Sequence, residues 1–507
     1  MPTPPDALRL RAVFATVFVV AACGLAYELV AGALASYLLG DSVAQFSTAI
    51  GLYLCALGIG AWLSKFVETR VVERFVQVEA AVALLGGTLA AVLFLAFPSG
   101  RWFRPVLYGE ILGVGTLVGL EIPLLLRILK DDMEFKDLVS RVLTFDYVGS
   151  LAVALAFPHV LVPHLGLVRT ALALGLLNAF VGLWSTYVFE HRLERPGPLR
   201  ARCVLVVLLL TAGMAWGDRA TLYAETSFFG EEILHARTSP FQRIVVAGTE
   251  RSFSLYLNGA LQFHSGDERR YHEALVHPAM AVSPDPRRVL VLGGGDGLAV
   301  REVLRHPSVE RVTLVDIDRA VTDLARDVEA IARLNARALS DPRVEVVNDD
   351  AMAWLDARRG PYDVAVVDFP DPSSFAVGKL YTVRFYERLL AALAPDGAVV
   401  VQATSPFHAR RSFWCVARTL EATGLTVRPY RAFVPSFRGD WGFLLASRRA
   451  FAVPDRVPAG LSTLDVPSMQ ALFVLGPDLG PLDVEVNRLD NQVLVRYYDE
   501  EWRAFGG

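Results

Sequence analysis

One aspartate lies inside a run of glycines, Gly293-Gly294-Gly295-Asp296-Gly297, and its chemistry narrows what the chain can bind. A carboxylate there would repel a pyrophosphate, or the carboxylate of S-adenosylmethionine, but would attract a free ammonium. Ahead of it stands an apolar run, Val289-Leu290-Val291-Leu292; behind it come a segment of helical character and a second apolar run ending in Asp316 and Asp318. Strand, glycine turn, helix, strand and acid form a Rossmann-type order. The glycines (Gly293 and Gly295 among them) admit a ligand close to the backbone, and the acid about twenty residues on meets ribose hydroxyls. The combination points to a cationic adenosyl ligand without its carboxylate, decarboxylated S-adenosylmethionine. Alone, Asp296 would read equally well as a solvated turn residue.

The elements that must position these groups occupy only the second half of the chain. A length of 507 residues predicts more than one domain. Hydrophobic residues make up 53% and mean hydropathy is +0.39, an excess concentrated before about residue 217. Runs of about twenty apolar residues, enough to cross a bilayer, fall at 12–35, 43–63, 77–98, 105–126, 143–163, 167–188 and 201–217. They predict an all-α transmembrane bundle of about seven helices over 1–217, with kinks at Pro123 and Pro158. Net charge is -4 without a long basic run, which gives no support for a nucleic-acid partner. Four cysteines without a C-x-x-C pair indicate neither a zinc ribbon nor a disulfide framework.

Positive charge gathers on alternate loops (Arg9, Arg11, Lys65, Arg70, Arg74, Arg127, Lys130, Lys136, Arg141, Arg192, Arg195, Arg200, Arg202), against Arg101, Arg104 and Arg169 on the others. This puts the N-terminus in the cytoplasm and the chain in the cell (inner) membrane. Seven spans would leave the second half outside, whereas an adenosyl cosubstrate is cytosolic; a short last segment that does not span would restore agreement. Five acids fall in or beside the spans: Glu28, Glu79, Glu110, Glu121 and Asp146. They read either as a cation path or polyamine docking site, or as interfacial acids (Glu79, Asp146) in water with Glu110 and Glu121 paired inside the bundle.

Residues 218–283 show short alternating segments at 233–237, 243–246 and 253–257, with Asn258-Gly259 as a hairpin signal, and predict a small antiparallel β-domain leading into a helix near 271–281. Over 284–450, strands at 312–317, 344–347, 362–368, 398–402, 425–431 and 442–446 alternate with helices, as in a Rossmann-like doubly wound α/β sheet of the methyltransferase kind. The extension 451–507 has few signals beyond a strand-helix pair expected at 490–502.

The motifs resemble those of the spermidine synthase (polyamine aminopropyltransferase) family. They are SPFQ at 239–242, LNGALQ at 257–262, DERRYHE at 267–273, GGGDG at 293–297 with REVLRHPSVE after it, LVDID at 314–318, NDDA at 348–351 and VVDFPDP at 366–372. They keep the family's order over 225–447, and YELVAGALASYLLGDS at 27–42 looks like its multi-pass membrane branch. The resemblance implies that Gln242, Gln262 and His272 line the adenosyl site. Asp296 would hold the aminopropyl ammonium, Asp316 the ribose, and Asp350 with Ala351 the adenine edge. It further implies that Asp368 is the catalytic base, with Asp371 and Tyr271 seating a diamine. Decarboxylated S-adenosylmethionine would be a cosubstrate, with no tightly bound cofactor and no metal. Membrane lipid and a homodimer or homotetramer complete the expected partners.

Physical reasoning agrees. Asp368 closes a buried strand, and two carboxylates fit a dicationic diamine. Neutralising an alkylammonium of pKa about 10.4 at pH 7 costs roughly 4–5 kcal/mol, so a carboxylate aimed at the nitrogen is useful. Three departures from the family stand out. Ser373-Ser374-Phe375 replaces a Gly-Pro, Phe437 stands where an acceptor-contacting tyrosine is frequent, and Asp316 stands where glutamate is usual. His272-Glu273 with His277 mimics a zinc-protease helix, but a spacing of five separates the histidines by roughly 140° around a helix. A methyltransferase on the same fold, and a polyamine transporter or sensor with a ligand-binding soluble domain, are the competing readings.

Overall fold

The apolar runs of the first half fold as helices α1 (Pro4–Leu39), α2 (Val43–Leu63), α3 (Val71–Ala96), α4 (Phe103–Leu129), α5 (Phe135–Ala156), α6 (Val162–Val188) and α7 (Pro196–Phe229). This computed structural model describes residues 4–39, 43–357 and 360–506, and the chain divides into two compact units at Ile233/Leu234. Among the described residues, six helical stretches are long and apolar enough to cross a membrane, in rough agreement with the about seven expected. The difference lies at 135–188. There α5, a π-turn at Phe157–Leu161 and α6 form one stretch of 54 residues, broken in conformation at Gly166 (φ 71°, ψ 174°). Pro158, which has no N–H to donate, sits in the π-turn, as such interruptions commonly are built. Pro123 is carried inside α4. The last stretch is not short: α7 runs past 217, because nothing stops it before Gly230, whose φ of 68° and N–H bond to the Thr226 carbonyl form the cap.

Lipid offers no hydrophobic drive between helices, so close backbone approach holds them together. A Cβ on Gly119 of α4 would lie 2.2 Å from the Leu57 carbonyl oxygen of α2, and one on Gly60 would lie 2.1 Å from that of Thr116. Outward faces carry exposed Leu54, Trp62, Leu151, Leu155, Leu205 and Leu208. Of the five acids, Glu79 is not solvated at an interface: it is buried, and Asn178 Nδ2 donates to its Oε2 at 3.2 Å. Glu121 is buried too, and none of the five forms an ion pair among the described residues, so the expected internal pairing does not occur.

The second unit opens with a four-stranded sheet ordered β1 (Ile233–Thr238), β2 (Arg243–Thr249), β3 (Ser252–Leu257) and β4 (Ala260–His264). Asn258 and Gly259 (φ 49° and 81°) make the tight turn between β3 and β4. Helix α8 (Glu268–Val282) leads to β5 (Arg288–Gly293), helix α9 (Leu298–Leu304), β6 (Arg311–Val315), β7 (Val344–Val347), β8 (Tyr362–Asp368), β9 (Leu393–Gln402), β10 (Thr426–Val434) and β11 (Gly439–Ser447). These seven strands are ordered β10-β11-β9-β8-β5-β6-β7, parallel from β9 to β7, with β11 antiparallel to both β9 and β10. Both faces are covered. Val289 and Val291 belong to one core cluster with residues of α8 and α9, whereas Leu290 and Leu292 belong to the other with Trp354, Phe385 and Phe413. Among the described residues no strand directly precedes the last helix, Val493–Gly506, where one was expected.

Candidate active site

Strand order reverses at β5, and in open α/β sheets that is where a crevice opens beyond the strands' carboxyl ends. Carboxylates follow or close four adjacent strands there: Asp296 after β5, Asp316 after β6, Asp350 after β7 and Asp368 at the end of β8. The glycine loop makes the crowding possible. Gly293 and Gly297 have φ of 77° and 81°, and a Cβ on Gly293 would stand 2.2 Å from the Asp368 carbonyl oxygen. A Cβ on Gly295 would stand 2.6 Å from Asp316 Oδ2, where Gly295 N–H donates instead at 3.0 Å.

Asp296 is buried; its Oδ1 accepts from Leu298 N–H at 2.8 Å, and Asn335 Nδ2 holds its carbonyl at 2.8 Å. Burial raises its carboxyl above the usual range. Asp316 also accepts from Asp318 N–H at 2.8 Å, yet burial pushes it up to about 6. Asp318 in turn accepts from Ser239 Oγ (2.6 Å) and Gln242 Nε2 (3.0 Å), fastening the SPFQ turn to the end of β6. Asp350 caps the helix that Ala351 begins, and its Oδ2 meets Lys379 Nζ at 2.6 Å. Gln262 Nε2 donates to the Ala260 carbonyl at 3.0 Å, and among the described residues it bonds none of these side chains.

Asp368 and Asp371 have separate supports. Tyr271 OH donates to Asp368 Oδ1 at 2.6 Å. Asp371 accepts from Gln402 Nε2 (3.3 Å), Thr404 Oγ1 (3.2 Å) and Tyr498 OH (3.0 Å). Burial pushes each carboxyl up to about 6, opposed at Asp368 by the nearby His272 and at Asp371 by its donors. Phe437 packs edge-on to Tyr271 (5.7 Å between centroids) and 4.6 Å from Trp441, whose Nε1 donates to Gln402 Oε1 at 3.0 Å.

Behind His272 lies a buried network that sequence reasoning did not anticipate. His272 Nδ1 meets Glu268 Oε2 at 3.0 Å; Arg301 grips both Glu268 oxygens at 2.8 Å and turns its Nε to Glu302 at 2.8 Å. Glu302 meets His277 Nε2 at 3.1 Å, and His277 Nδ1 meets His306 at 3.0 Å. Burial alone would raise Glu268, but His272 and Arg301 hold it down to about 2. His272 is raised despite burial, by its bond to Glu268, and its charge acts on Asp296 and Asp368. His272 and His277 thus end on different partners. Among the described residues, no three His, Cys, Asp or Glu side chains are grouped to hold a metal. Glu268 was visible inside the DERRYHE motif; Gln402 is a polar residue ending an apolar strand; Lys379 and Tyr498 carried no signal.

Five carboxylates with raised or lowered affinity for a proton, gathered at one end of the sheet, suit a ligand bearing several positive charges and a proton transfer to one of them. Sequence comparisons with known proteins agree with that chemistry. A spermine/spermidine synthase domain matches residues 268–454. Polyamine aminopropyltransferase 1 of Ralstonia nicotianae is 51% identical, with 99% of each chain covered. Polyamine aminopropyltransferase 2 of the same organism is 52% identical over 96% of this chain and 97% of its own. The polyamine aminopropyltransferase of Leptospira interrogans is 46% identical over 97% and 98%. Among solved structures, a spermidine synthase in complex with the transition-state analogue AdoDATO is 28% identical, covering 48% of this chain and 85% of its own, with a TM-score of 0.46.

Proposed function

The chain belongs to the polyamine aminopropyltransferase family, and from that premise we propose how its own residues divide the reaction. The enzyme transfers the aminopropyl group of decarboxylated S-adenosylmethionine to a diamine such as putrescine, giving spermidine and methylthioadenosine. Asp296 takes the donor's ammonium, Asp316 the ribose and Asp350 with Ala351 the adenine edge, with Gln242, Gln262 and His272 around them; the glycine loop at Gly293 and Gly295 lets the donor close on the backbone. Asp368 is the base, Tyr271 aims it, and Asp371 holds the acceptor's other ammonium.

Asp368, with a pKa of about 6, is ionised at neutral pH and can take the proton from the attacking ammonium. The freed nitrogen lone pair forms a bond to the aminopropyl carbon, the carbon–sulfur bond breaks, and its electrons return to sulfur as neutral methylthioadenosine. One proton leaves through Asp368. The observation that carries this reading is the convergence of Asp296, Asp316 and Asp368 on the ends of β5, β6 and β8. No donor carboxylate could sit beside Asp296 without repulsion, which counts against the methyltransferase reading.

The membrane-length helices support a multi-pass protein in lipid of the cell (inner) membrane, and the family resemblance supports a homodimer or homotetramer. Domains are assigned as 1–217, 218–283, 284–450 and 451–507, with the adjustment that α7 carries the first to Phe229. Detergent-purified protein given putrescine with decarboxylated or intact S-adenosylmethionine tests the function, with Asp368→Asn alongside. Spermidine and methylthioadenosine from the decarboxylated donor alone, lost in the variant, are expected. S-adenosylhomocysteine from the intact donor would establish a methyltransferase; amine binding without product would establish a sensor or transporter.

A further inference from the structure

The acceptor side of the cleft includes a side chain from far outside the matched synthase domain. Tyr498 lies on the C-terminal helix Val493–Gly506, whereas the domain match ends at residue 454. Its hydroxyl donates to Asp371 Oδ2 at 3.0 Å. We propose that the C-terminal extension completes the acceptor-amine site, with Tyr498 as a positioning residue that keeps Asp371 ionised and aimed. This rests on the reading of Asp371 as the carboxylate that holds the acceptor.

The extension is fixed on both sides of that contact. One turn beyond Tyr498, the Glu501 carboxylate accepts from Arg411 N–H (2.7 Å), Ser412 N–H (3.0 Å) and Ser412 Oγ (2.7 Å). These donors belong to the first turn of helix Arg410–Glu421, where a negative charge is favoured. Ahead of the helix, Asn487 Nδ2 donates to the carbonyls of Gly378 (3.2 Å) and Tyr381 (3.1 Å), and the Asn487 carbonyl accepts from Val383 N–H at 3.1 Å. Asn487 thereby ties down the segment that follows Asp371. The tail is therefore clamped both to the start of helix Arg410–Glu421 and to the 378–383 segment that follows Asp371.

Hydroxyl supply explains what the clamp is for. Asp371 is buried enough for its carboxyl to be pushed up to about 6, so near neutral pH its charge depends on the donors that face it. Two of its three donors, Thr404 Oγ1 and Tyr498 OH, meet the same oxygen. Phe437, on the same side of the cleft as Tyr271, has no hydroxyl and packs on Tyr271 and Trp441. The tyrosine hydroxyl that reaches Asp371 is brought from the extension.

The test uses full-length detergent-purified enzyme and Tyr498→Phe, which keeps the ring and its packing. A hydrogen bond to a charged group is lost, so kcat/KM for putrescine should fall about 10- to 100-fold. KM for decarboxylated S-adenosylmethionine should stay within about twofold, since Tyr498 touches none of the donor-side residues. The acid limb of the acceptor's kcat/KM should move to higher pH, a shift that a purely structural role would not give. Thr404→Val, which removes the other donor from that oxygen, should move the limb the same way. An unchanged acceptor kcat/KM and acid limb in both variants, or equal losses toward donor and acceptor, would overturn the proposal. Asp371→Asn separates the two levels of inference. If it spares acceptor use, the assignment of Asp371 fails; if it impairs acceptor use while Tyr498→Phe does not, only the role of the extension fails.

Discussion

Replacing Asp368 by asparagine separates what the carboxylate costs the fold from what it does in the reaction. In the folded unit its pKa is about 6, against 3.8 for an ordinary aspartate. The group binds its proton more tightly folded than unfolded, so above pH 6 the ionised form penalises folding by about 3 kcal/mol, a ceiling because the side chain keeps some solvent contact. The sign is opposite to that of a salt-bridged acid: the penalty is full above pH 6, shrinks as pH falls toward 4, and is about 1 kcal/mol at pH 4.5. Asparagine has the same shape, can still accept from Tyr271, and carries no charge. At pH 7.5 it should therefore raise the melting temperature by roughly 5–10 °C while lowering turnover at least about 100-fold. Tryptophan-fluorescence melts of both proteins at pH 7.5 and 4.5, with turnover in parallel, make the measurement. A variant no more stable than the parent at pH 7.5, or a gain equally large at both pH values, would refute the reasoning from burial.

Because Asp368 and Asp371 both sit near 6 and both act ionised, kcat/KM measured against pH should fall below pH 6 with a slope approaching two; a slope of one would mean that only one carboxylate is required. In the membrane unit, Gly119→Ala places a Cβ against the Leu57 carbonyl at 2.2 Å and should push α2 from α4. The yield of monodisperse protein on size exclusion in detergent should drop severalfold; an unchanged yield would show that the two helices are free to separate there.

Most of the cleft was legible because a parallel sheet covered on both faces writes its strands as unbroken apolar runs. In VLVLGGGD, TLVDID and VVDFPD the first polar residue after each run falls at the strand's carboxyl end, where the crevice opens, so sequence alone places Asp296, Asp316 and Asp368 there. The same reasoning failed wherever a side chain's meaning depends on a distant partner. Arg301 follows the glycine loop on α9 with no local signal of its partners, and it is buried between Glu268 and Glu302. Glu79 looked interfacial by its place near the start of a span, but the sequence around it says nothing about Asn178, which it meets across the bundle. The break at Gly166 was hidden for a different reason: on either side of it the hydropathy of a span is continuous.

Tyr498 is the clearest case of this limit, and it shows what the limit implies for the site. Period and composition report which face of an element is buried, and the C-terminal helix reports that face correctly, with Val493, Leu494 and Tyr497 inward. They do not report that the next residue ends on Asp371, 127 positions earlier. Strand-end acids can be read locally because the sheet's own geometry delivers them. The donors that face Asp371, the carboxylate three residues past the strand end, come from β9 (Gln402), the loop after it (Thr404) and the tail (Tyr498), three places with no shared local pattern. An ionised pair of carboxylates at neutral pH is thus a property of the assembled unit, and changes far from the motifs can shift acceptor use without touching a motif residue.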